Sequence, residues 1–437
     1  MSALFLRFYQ LGDINKPVFD EVYFPNFAYH YIQQESFFHS HPPLAKYVMM
    51  AGMHIYHMLP WVNEPTLGSV PFNELNPVSY RWVNALLGFL SCCLFALSAY
   101  RLKKSHLFSL LVFAFVSFDG ALLVASRFGL SNVHILFWGA LSLYLTLLTL
   151  QKNNGYLPLL LGCSLAAVIS VKWSGLSYWA ITMAVLVIVV LLKSIRFKFK
   201  RFTHNNWPTI DKKGLKILSA ITLVPAILYY LIWIPDLQLN TKYDFTETHR
   251  QFFTYHKNRV SEDAHPYCSK WYSWPLMQRP ISYHFEKIPA TDNQPRCFKN
   301  VHSFGNPVLY WMASLAMLTM LIMTIKQIAY MVKNKTFNSN QFTLLFITGG
   351  YLASWLPWSL VSRCTFLYHY QSASVFSFIA LAWLLTTLLQ GSKTHKYAAY
   401  TCLVILICAF VYWLPFQLGL PLSVDGFYQR MWFKSWI

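Results

Sequence analysis

Long apolar segments recur along the whole chain and constrain its fold more than any other feature. Each runs for about 16 to 22 residues, the length with which a helix crosses a hydrocarbon layer about 30 Å thick. Hydrophobic residues make up 56% of the sequence and charged residues only 12%, whereas soluble domains carry about a quarter charged residues. The segments lack the alternation of a membrane β-barrel. The chain is therefore predicted to be an all-α integral membrane protein.

The apolar segments predict about eleven membrane-spanning helices. The first, Ala3 to Tyr9, is too short to cross alone. Either it is completed by residues 10–12 and tilted, or translation starts upstream of Met1. The other predicted spans lie near Tyr80–Tyr100, Leu107–Ala125, Val133–Leu150, Tyr156–Val171, Gly175–Leu192, Leu215–Ile234, Pro307–Ile325, Phe342–Trp355, Tyr370–Leu389 and Ala398–Leu414. Eleven crossings would place the two termini on opposite sides.

Charge in the connections between these helices predicts their orientation. The connections on one face, such as Arg101–His106 and Lys193–Lys216, are rich in Lys and Arg and contain one acid, Asp211. By the positive-inside rule this face is cytoplasmic, and almost all carboxylates lie outside. The formal charge of +19 is thus explained by topology, and we expect no nucleic-acid partner. The predicted location is the inner (plasma) membrane.

Two long segments fall on the outer face, residues 13–79 and 235–306, within a single membrane domain. In the first, Pro42-Pro43 can begin a helix, because proline is tolerated where amide hydrogens have no helical partner. Apolar residues then recur at helical spacing from Leu44 to Met58. This pattern predicts a helix lying on the membrane surface.

The first outer segment also contains the best candidate for acid–base chemistry, Asp20 and Glu21. The pair lies between Val18-Phe19 and Val22-Tyr23-Phe24. A carboxylate in such apolar sequence is partly desolvated and suited to act as a general base. The alternative, a solvated loop carboxylate, is the common fate of an arbitrary acidic pair.

Charged residues within or at the ends of the spans are the second group of candidates, because charge in a membrane is costly and tends to mark function. By the predicted topology, the cations lie toward the outer helix ends and Asp119 lies deeper. These cations are Arg81, Arg127, Lys172 and Arg363, with His369 close to the last. Together with the acidic pair, they predict an anion-binding site at the outer leaflet. The alternative is that individual members are surface anchors or structural ion pairs.

The second outer segment contains His265, Trp271 and Trp274. Its tryptophans suit either a membrane-interface belt or a role in closing over a site and stacking on a sugar, and their spacing does not separate these readings. Cys268 and Cys297 share this segment and form a disulfide if the outer compartment is oxidising.

Signatures of soluble enzymes are missing from the sequence. It has neither a Walker motif nor a dinucleotide-binding glycine motif. The pairs His39/His41 and His54/His57 lack the cysteine or acidic partners of a typical zinc site. We therefore predict no metal site.

Taken in order, several short motifs resemble those of the protein O-mannosyltransferases. They are Phe19-Asp20-Glu21-Val22, His41-Pro42-Pro43-Leu44, Ser126-Arg127, Lys172-Trp173-Ser174-Gly175, His265-Pro266-Tyr267 with Trp271 and Trp274-Pro275, Gly305-Asn306-Pro307, and Arg363 with Phe366 and Tyr368-His369-Tyr370. The terminal Arg430–Ile437 also resembles the end of bacterial members. Each motif is weak alone, but their common order covers nearly the whole chain.

The resemblance implies a C-type glycosyltransferase (GT-C) fold with its active site at the outer membrane face. It implies a polyprenyl-phosphate-mannose donor and a Ser or Thr hydroxyl of an exported protein as acceptor. The family's catalytic base corresponds to Asp20, and Glu21 matches the second acid. Association with the export machinery, or a dimer, is left open.

Two departures refine this resemblance. The eukaryotic enzymes carry a large sugar-binding-like domain in the second outer loop, whereas this segment is short, which favours a bacterial type. The family also commonly has an acid after the Ser-Arg motif where this chain has Asn132. Any role of that acid, including metal binding, is therefore in doubt here.

The resulting hypothesis is an inverting displacement in which Asp20 takes the proton of the acceptor hydroxyl. Lys172, Arg363, Arg81 and His369 would bind the leaving phosphate and make a metal ion unnecessary. His41, Trp271 and Trp274 would shape the acceptor groove, with Arg127, Asp119 and His265 as further support.

Three alternatives stay open. One is a related transferase that moves another sugar to lipid A or to a cell-wall glycan, although the lipid A aminoarabinose enzymes typically show Lys-Pro-Pro where His41-Pro42-Pro43 stands. The second is a transporter, which would place its charges along a path through the membrane midplane. The third is a purely structural membrane protein, which would not need the acidic pair.

Overall fold

A computed structural model gives the structure of the chain and describes residues 1–152, 154–194, 198–200, 212–258, 265–291 and 295–437. The helices are α1 (Ser2–Phe8), α2 (Phe24–Gln33), α3 (Leu44–His57), α4 (Val78–Lys103), α5 (His106–Ser117), α6 (Gly120–Arg127), α7 (Asn132–Gln151), α8 (Leu157–Ile169), α9 (Leu176–Ser194), α10 (Lys212–Leu239), α11 (Phe245–Asn258), α12 (Pro307–Asn334), α13 (Ser339–Trp355), α14 (Gln371–Leu389), α15 (Lys393–Leu418) and α16 (Val424–Tyr428). The strands are β1 (Lys198–Lys200), β2 (Ile281–Ile288), β3 (Cys297–Ser303), β4 (Thr336–Asn338) and β5 (Pro421–Ser423).

Seven helices in the described ranges are long and apolar enough to cross a membrane, namely α4, α7, α9, α10, α12, α14 and α15. The helices α5 and α6 are bent by 60° at a short break, and as one broken span they make an eighth. Each coincides with a predicted apolar segment. The prediction of an all-α integral membrane architecture is confirmed.

The three other predicted spans correspond to α1, α8 and α13. They contain 7, 13 and 17 residues. At about 1.5 Å per residue, even α13 is only about 26 Å long, which is less than the hydrocarbon thickness. The count of eleven crossings therefore stays a prediction.

Asp119 lies in the break between α5 and α6. Its Oδ2 accepts a hydrogen bond from the backbone N–H of Leu122 (3.0 Å), and its Oδ1 accepts one from Asn306 (3.2 Å). A break in a membrane helix frees backbone groups that need polar partners. Asp119 supplies such partners, so its observed contacts are structural.

The two segments predicted to lie outside, residues 13–79 and 235–306, contain mostly short helices and strands. Strands β2, β3 and β5 make an antiparallel sheet in which the β2–β3 register shifts between Ser282 and His284. Helix α3 begins at Leu44 directly after Pro43, as predicted. Apolar residues such as Ile55 and Met58 are exposed on α3, and its location on the membrane surface stays a prediction.

The disulfide prediction is wrong. Cys268 pairs with Cys364, 96 residues away, and Cys297 is a free thiol. The backbone N–H of Ser269 donates to the carbonyl of Thr365 (2.7 Å), which brings the two segments side by side. Because the partner comes from the connection between α13 and α14, proximity along the sequence favoured the wrong cysteine.

Candidate active site

A cavity of about 740 Å³ is lined by residues from many parts of the chain. Its wall combines residues from both outer segments with the ends of the surrounding helices. Among the lining residues are Asp20, Lys172, Arg363, Tyr368 and His369. The volume is in the range of cavities that bind small molecules and cofactors. The structure thus brings together residues that are up to about 350 positions apart in the sequence.

Asp20 is half-buried at the edge of this cavity, in a short 3₁₀ turn from Phe19 to Val22. Within the described ranges, no donor hydrogen-bonds to its carboxylate. Burial raises the pKa of Asp20 above its ordinary value, and the nearby Lys172 ammonium opposes this effect. A carboxylate that has a raised pKa and accepts no hydrogen bond from its neighbours can readily accept a proton.

The backbone just before Asp20 is strained. Phe19 has a φ of +54°, a left-handed conformation that is uncommon for a bulky residue. Its ring stacks on Tyr283 with centroids 4.4 Å apart and meets Tyr368 edge-on at 6.2 Å. Tyr283 lies at the register shift of β2, and such bulges re-aim side chains beside active sites. These aromatic contacts hold the turn that presents Asp20.

Glu21 has the opposite surroundings to Asp20, because it is fully buried and saturated with donors. Arg81 donates to both of its carboxylate oxygens, at 2.9 and 2.7 Å. The backbone N–H groups of Val18 and Gly129 add bonds of 2.8 and 2.7 Å. With every side of the carboxylate occupied, Glu21 is a structural residue in this geometry.

Arg81 lies outside the cavity wall, contrary to the expectation that it contacts the donor phosphate. Besides Glu21, its guanidinium donates to the carbonyl oxygens of Leu11, Ile14 and Lys16, at 2.9 to 3.0 Å. It is fully buried, so its donors are committed to the protein. The correction follows from geometry: Arg81 holds the chain that leads to Asp20.

Arg127 holds the part of the chain just before the residues that Arg81 binds. Its guanidinium donates to the carbonyl oxygens of Leu6 and Tyr9, at 2.6 and 2.7 Å. These carbonyls belong to the last turn of α1, where helical partners run out. Arg127 and Arg81 together fix residues 6–21, which fits the structural alternative for both arginines.

Lys172 and Arg363 are the cations that line the cavity most directly. The Lys172 Nζ donates to Asn132 Oδ1 (3.1 Å) and lies 4.9 Å from the centre of the Phe24 ring. Burial lowers the pKa of Lys172 to about 8, although Asp20 pulls in the opposite direction. Arg363 donates to the carbonyl of Cys364 (3.1 Å), and among the described residues it forms no ion pair.

Four histidines also line the cavity: His39, His41, His256 and His369. The rings of His41 and His256 lie 5.4 Å apart, and those of His39 and His41 5.1 Å apart. Burial lowers the pKa of His39, His41 and His256, so these three are neutral at pH 7. They add polar, uncharged groups to the wall.

His369 is held by aromatic rings. Trp358 lies 4.3 Å from it and Trp274 stacks on it at 6.0 Å, measured between ring centres. The His369 Nδ1 lies 3.0 Å from both the backbone nitrogen and the carbonyl oxygen of Phe366, which fixes the orientation of the ring.

The predicted groove residues of the second outer segment do not line the cavity. Trp274 acts through His369, and the carbonyl of Trp271 accepts a bond from Trp355 Nε1 (3.0 Å). His265 accepts a hydrogen bond from the backbone N–H of Tyr267 (3.2 Å) and meets Phe366 edge-on. All three pack against residues of the cavity wall or their neighbours without lining the cavity themselves.

Sequence reasoning missed His256 as a wall residue and gave His39 only a weak metal-ligand role. A single histidine on an amphipathic helix such as α11 carries no motif, so His256 had no detectable signal. No cluster of three or more His, Cys, Asp or Glu side chains suited to a metal ion occurs among the described residues.

Comparisons with known proteins match two family models to this chain. Residues 1–222 match dolichyl-phosphate-mannose-protein mannosyltransferase, and residues 241–436 match the C-terminal four-transmembrane region of protein O-mannosyltransferase. A polyprenol-phosphate-mannose–protein mannosyltransferase of Corynebacterium glutamicum is 23% identical, covering 91% of this chain and 81% of the relative. The protein of that name in Mycobacterium tuberculosis is 21% identical, covering 100% and 90%.

Solved structures share the fold. The Saccharomyces cerevisiae protein O-mannosyltransferase Pmt1-Pmt2 complex bound to the sugar donor matches with a TM-score of 0.80 at 15% identity, over 100% of this chain and 91% of the matched chain. ArnT from Cupriavidus metallidurans matches with a TM-score of 0.55 at 13% identity, over 98% and 74%. The expected C-type glycosyltransferase fold is thus confirmed.

Proposed function

Because the chain belongs to the protein O-mannosyltransferase family, we propose that it transfers mannose from a polyprenyl-phosphate-mannose donor to Ser or Thr hydroxyls of exported proteins. One observation carries the proposal: Asp20, whose carboxylate accepts no hydrogen bond from the described residues, shares a single cavity with the cations Lys172 and Arg363. Base and leaving-group site are the two parts that such a displacement needs. The bacterial relatives support the polyprenyl donor, since their names specify it.

In the proposed reaction the acceptor oxygen attacks the anomeric carbon from the face opposite the phosphate. The new C–O bond forms as the bond to the phosphate oxygen breaks, and configuration is inverted. Asp20 accepts the hydroxyl proton as the oxygen loses electron density. The raised pKa of Asp20 improves this proton transfer, because a base is most effective when its pKa approaches the working pH.

The departing phosphate monoester gains negative charge, which Lys172 and Arg363 are placed to stabilise. Fixed cations in a site shielded from water are effective there because they need no reorganisation during the reaction. His369, which also lines the cavity, is proposed to form a hydrogen bond with the same phosphate. The expectation that no metal ion is needed stays a prediction.

The acceptor is proposed to enter along the histidine wall. His39, His41 and His256 are neutral and aromatic, which suits a polar but uncharged Ser or Thr side chain and its peptide backbone. The proposed active face is extracytoplasmic, since the Asp20 turn belongs to the outer segment of the positive-inside topology.

An assay with defined substrates tests this function. The purified full-length chain is given polyprenyl-phosphate-mannose and a Ser-containing peptide, with a Ser-to-Ala peptide as control. We expect one hexose on the Ser peptide only, and NMR of the product should show an inverted anomeric centre. Transfer from another polyprenyl-linked sugar but not from the mannose donor would instead favour the alternative transferase. No transfer from any such donor would contradict the proposal.

A further inference from the structure

The Cys268–Cys364 disulfide lies next to a cation of the cavity. Cys364 is 2% exposed and directly follows Arg363. The bridge joins the second outer segment to the connection between α13 and α14, which carries the wall residues Arg363, Tyr368 and His369. It is therefore a covalent tie between two parts of the chain that are far apart in sequence.

Hydrogen bonds place the same two segments in register. The backbone N–H of Ser269 donates to the carbonyl of Thr365 (2.7 Å), and the Thr365 Oγ1 donates to the carbonyl of Ser269 (2.6 Å). Just beyond them, Trp274 stacks on His369. The disulfide is the covalent link between the two segments, and its Cys364 directly follows Arg363 in the chain.

Arg363 depends on this backbone for its position. Its side chain lines the cavity, and its hydrogen bond goes to the carbonyl of Cys364 itself (3.1 Å). In the described part of the chain it has no carboxylate partner that would hold the guanidinium independently. Lys172, by contrast, is held by Asn132 from another helix. A shift of residues 363–365 would thus move one cation and leave the other in place.

We propose that the Cys268–Cys364 disulfide is a positioning element for the donor site, which holds Arg363 where it meets the phosphate of the lipid-linked sugar. The inference rests on the proposed function. Loss of the bridge should weaken donor binding, while Asp20, held by Arg81 and the Phe19–Tyr283 stack, stays in place. The two cysteines act through Arg363 and do not touch the reacting atoms.

The first test establishes the bridge without reference to activity. The chain has eight cysteines, of which six are free in the structure. Maleimide labelling of the denatured, unreduced full-length protein should modify six thiols, and eight after reduction. Labelling of eight without reduction would overturn the proposal even if the enzyme is active.

The second test measures donor kinetics in Cys268→Ala and Cys364→Ala, with Cys297→Ala as the matched control. We expect the donor KM to rise about tenfold in the first two variants, since a hydrogen bond to a charged group is worth about that factor. Because a displaced Arg363 would also stabilise less of the charge on the departing phosphate, their kcat should fall as well, and Cys297→Ala should match the wild type in both constants. A bridge that only stabilised the fold would lower the active fraction and leave KM unchanged, which would contradict the proposal.

A double-variant comparison links the bridge to Arg363. If the disulfide acts by placing this arginine, adding Cys364→Ala to Arg363→Ala should raise the donor KM no further. Equal and additive increases would overturn the assignment, because independent sites add their effects. If the wild type transfers no mannose, the proposed function is contradicted. The thiol count still tests the disulfide, because it does not depend on activity.

Discussion

Asp20 and Glu21 are chemically similar neighbours whose surroundings give them different tasks. Glu21 receives hydrogen bonds from Arg81, Val18 and Gly129, whereas no donor in the described ranges reaches the Asp20 carboxylate. Because these hydrogen bonds occupy both oxygens of the buried Glu21 carboxylate, it has no free acceptor site to offer a substrate hydroxyl. The geometry therefore favours Asp20 as the base and Glu21 as its support.

Replacing Glu21 by Gln should destabilise the fold. The change leaves the buried Arg81 guanidinium without a counter-charge, and breaking a buried pair in this way costs about 3–5 kcal/mol. The thermal midpoint in detergent should fall clearly, whereas Glu35→Gln, which breaks only an exposed contact with His30, should change the free energy of unfolding by less than about 1 kcal/mol. Equal midpoints for the two variants would show that the Glu21–Arg81 pair is not structural.

Tyr283 should matter for turnover through Phe19. Tyr283→Leu removes the ring that stacks on Phe19, so the strained turn can relax and move Asp20 away from the acceptor. We expect kcat to fall about tenfold or more, because small misplacements of a catalytic group are costly. Tyr283→Phe keeps the stack and should retain activity, as should Phe285→Ala, which changes an exposed ring of the same strand. A low kcat in Tyr283→Phe would argue against the stacking explanation.

The pH dependence of kcat/KM should be bell-shaped. Activity falls on the acid side as Asp20 is protonated, and because its pKa is raised, this limb should lie above the ordinary value of 3.8. It falls on the alkaline side as Lys172 loses its proton, with a limb near pH 8. Lys172→Arg should shift or abolish the alkaline limb, since arginine stays charged. An alkaline limb that is unchanged in Lys172→Arg would assign it to another group.

At the scale of elements, the apolar segments predicted the helices well because burial in lipid demands them. Helices α4, α7, α12, α14 and α15 all coincide with predicted spans. The broken α5–α6 span was read as one continuous helix, since Phe118–Asp119 is too short an interruption to end an apolar segment. The hairpin of β2 and β3 was not predicted: residues 281–286 alternate apolar and polar side chains as a half-buried strand does, but β3 does not continue this pattern.

Part of the site was predicted from the sequence, because charged residues at the ends of apolar segments are conspicuous there. Asp20, Lys172, Arg363, His369 and His41 were predicted to belong to it, and all five line the cavity. Arg81 was assigned to the donor because topology gives only the depth of a residue, and its actual partners at residues 11–21 come from tertiary packing. The disulfide partner of Cys268 was missed because Cys364 is far away in the sequence. Tertiary packing, seen in the hydrogen bond between Ser269 and Thr365, brings the two segments together.

At the level of the whole molecule, the proposed transfer to exported proteins requires the Asp20 cavity to face away from the cytoplasm. Glu35→Cys, in the outer segment, and Lys393→Cys, at the start of α15, both place a thiol at an exposed position. In a Cys297→Ala background, a membrane-impermeant maleimide added to intact spheroplasts should label the first, and the second only after lysis. The reverse pattern would place the cavity on the cytoplasmic side and contradict the proposed role with exported proteins.

Asp20→Asn tests whether Asp20 is the base of mannosyl transfer. Asparagine keeps the shape of the side chain but cannot accept the proton, so transfer to a Ser peptide should fall by about 10²–10⁴. Asp13→Asn, an identical change in the same segment, is the control. Asp13 pairs with Lys299 outside the cavity wall, and the loss of a partly exposed ion pair costs at most about 1 kcal/mol, so the rate should stay near that of the wild type. At matched folded protein, a rate for Asp20→Asn equal to that of Asp13→Asn would contradict the account.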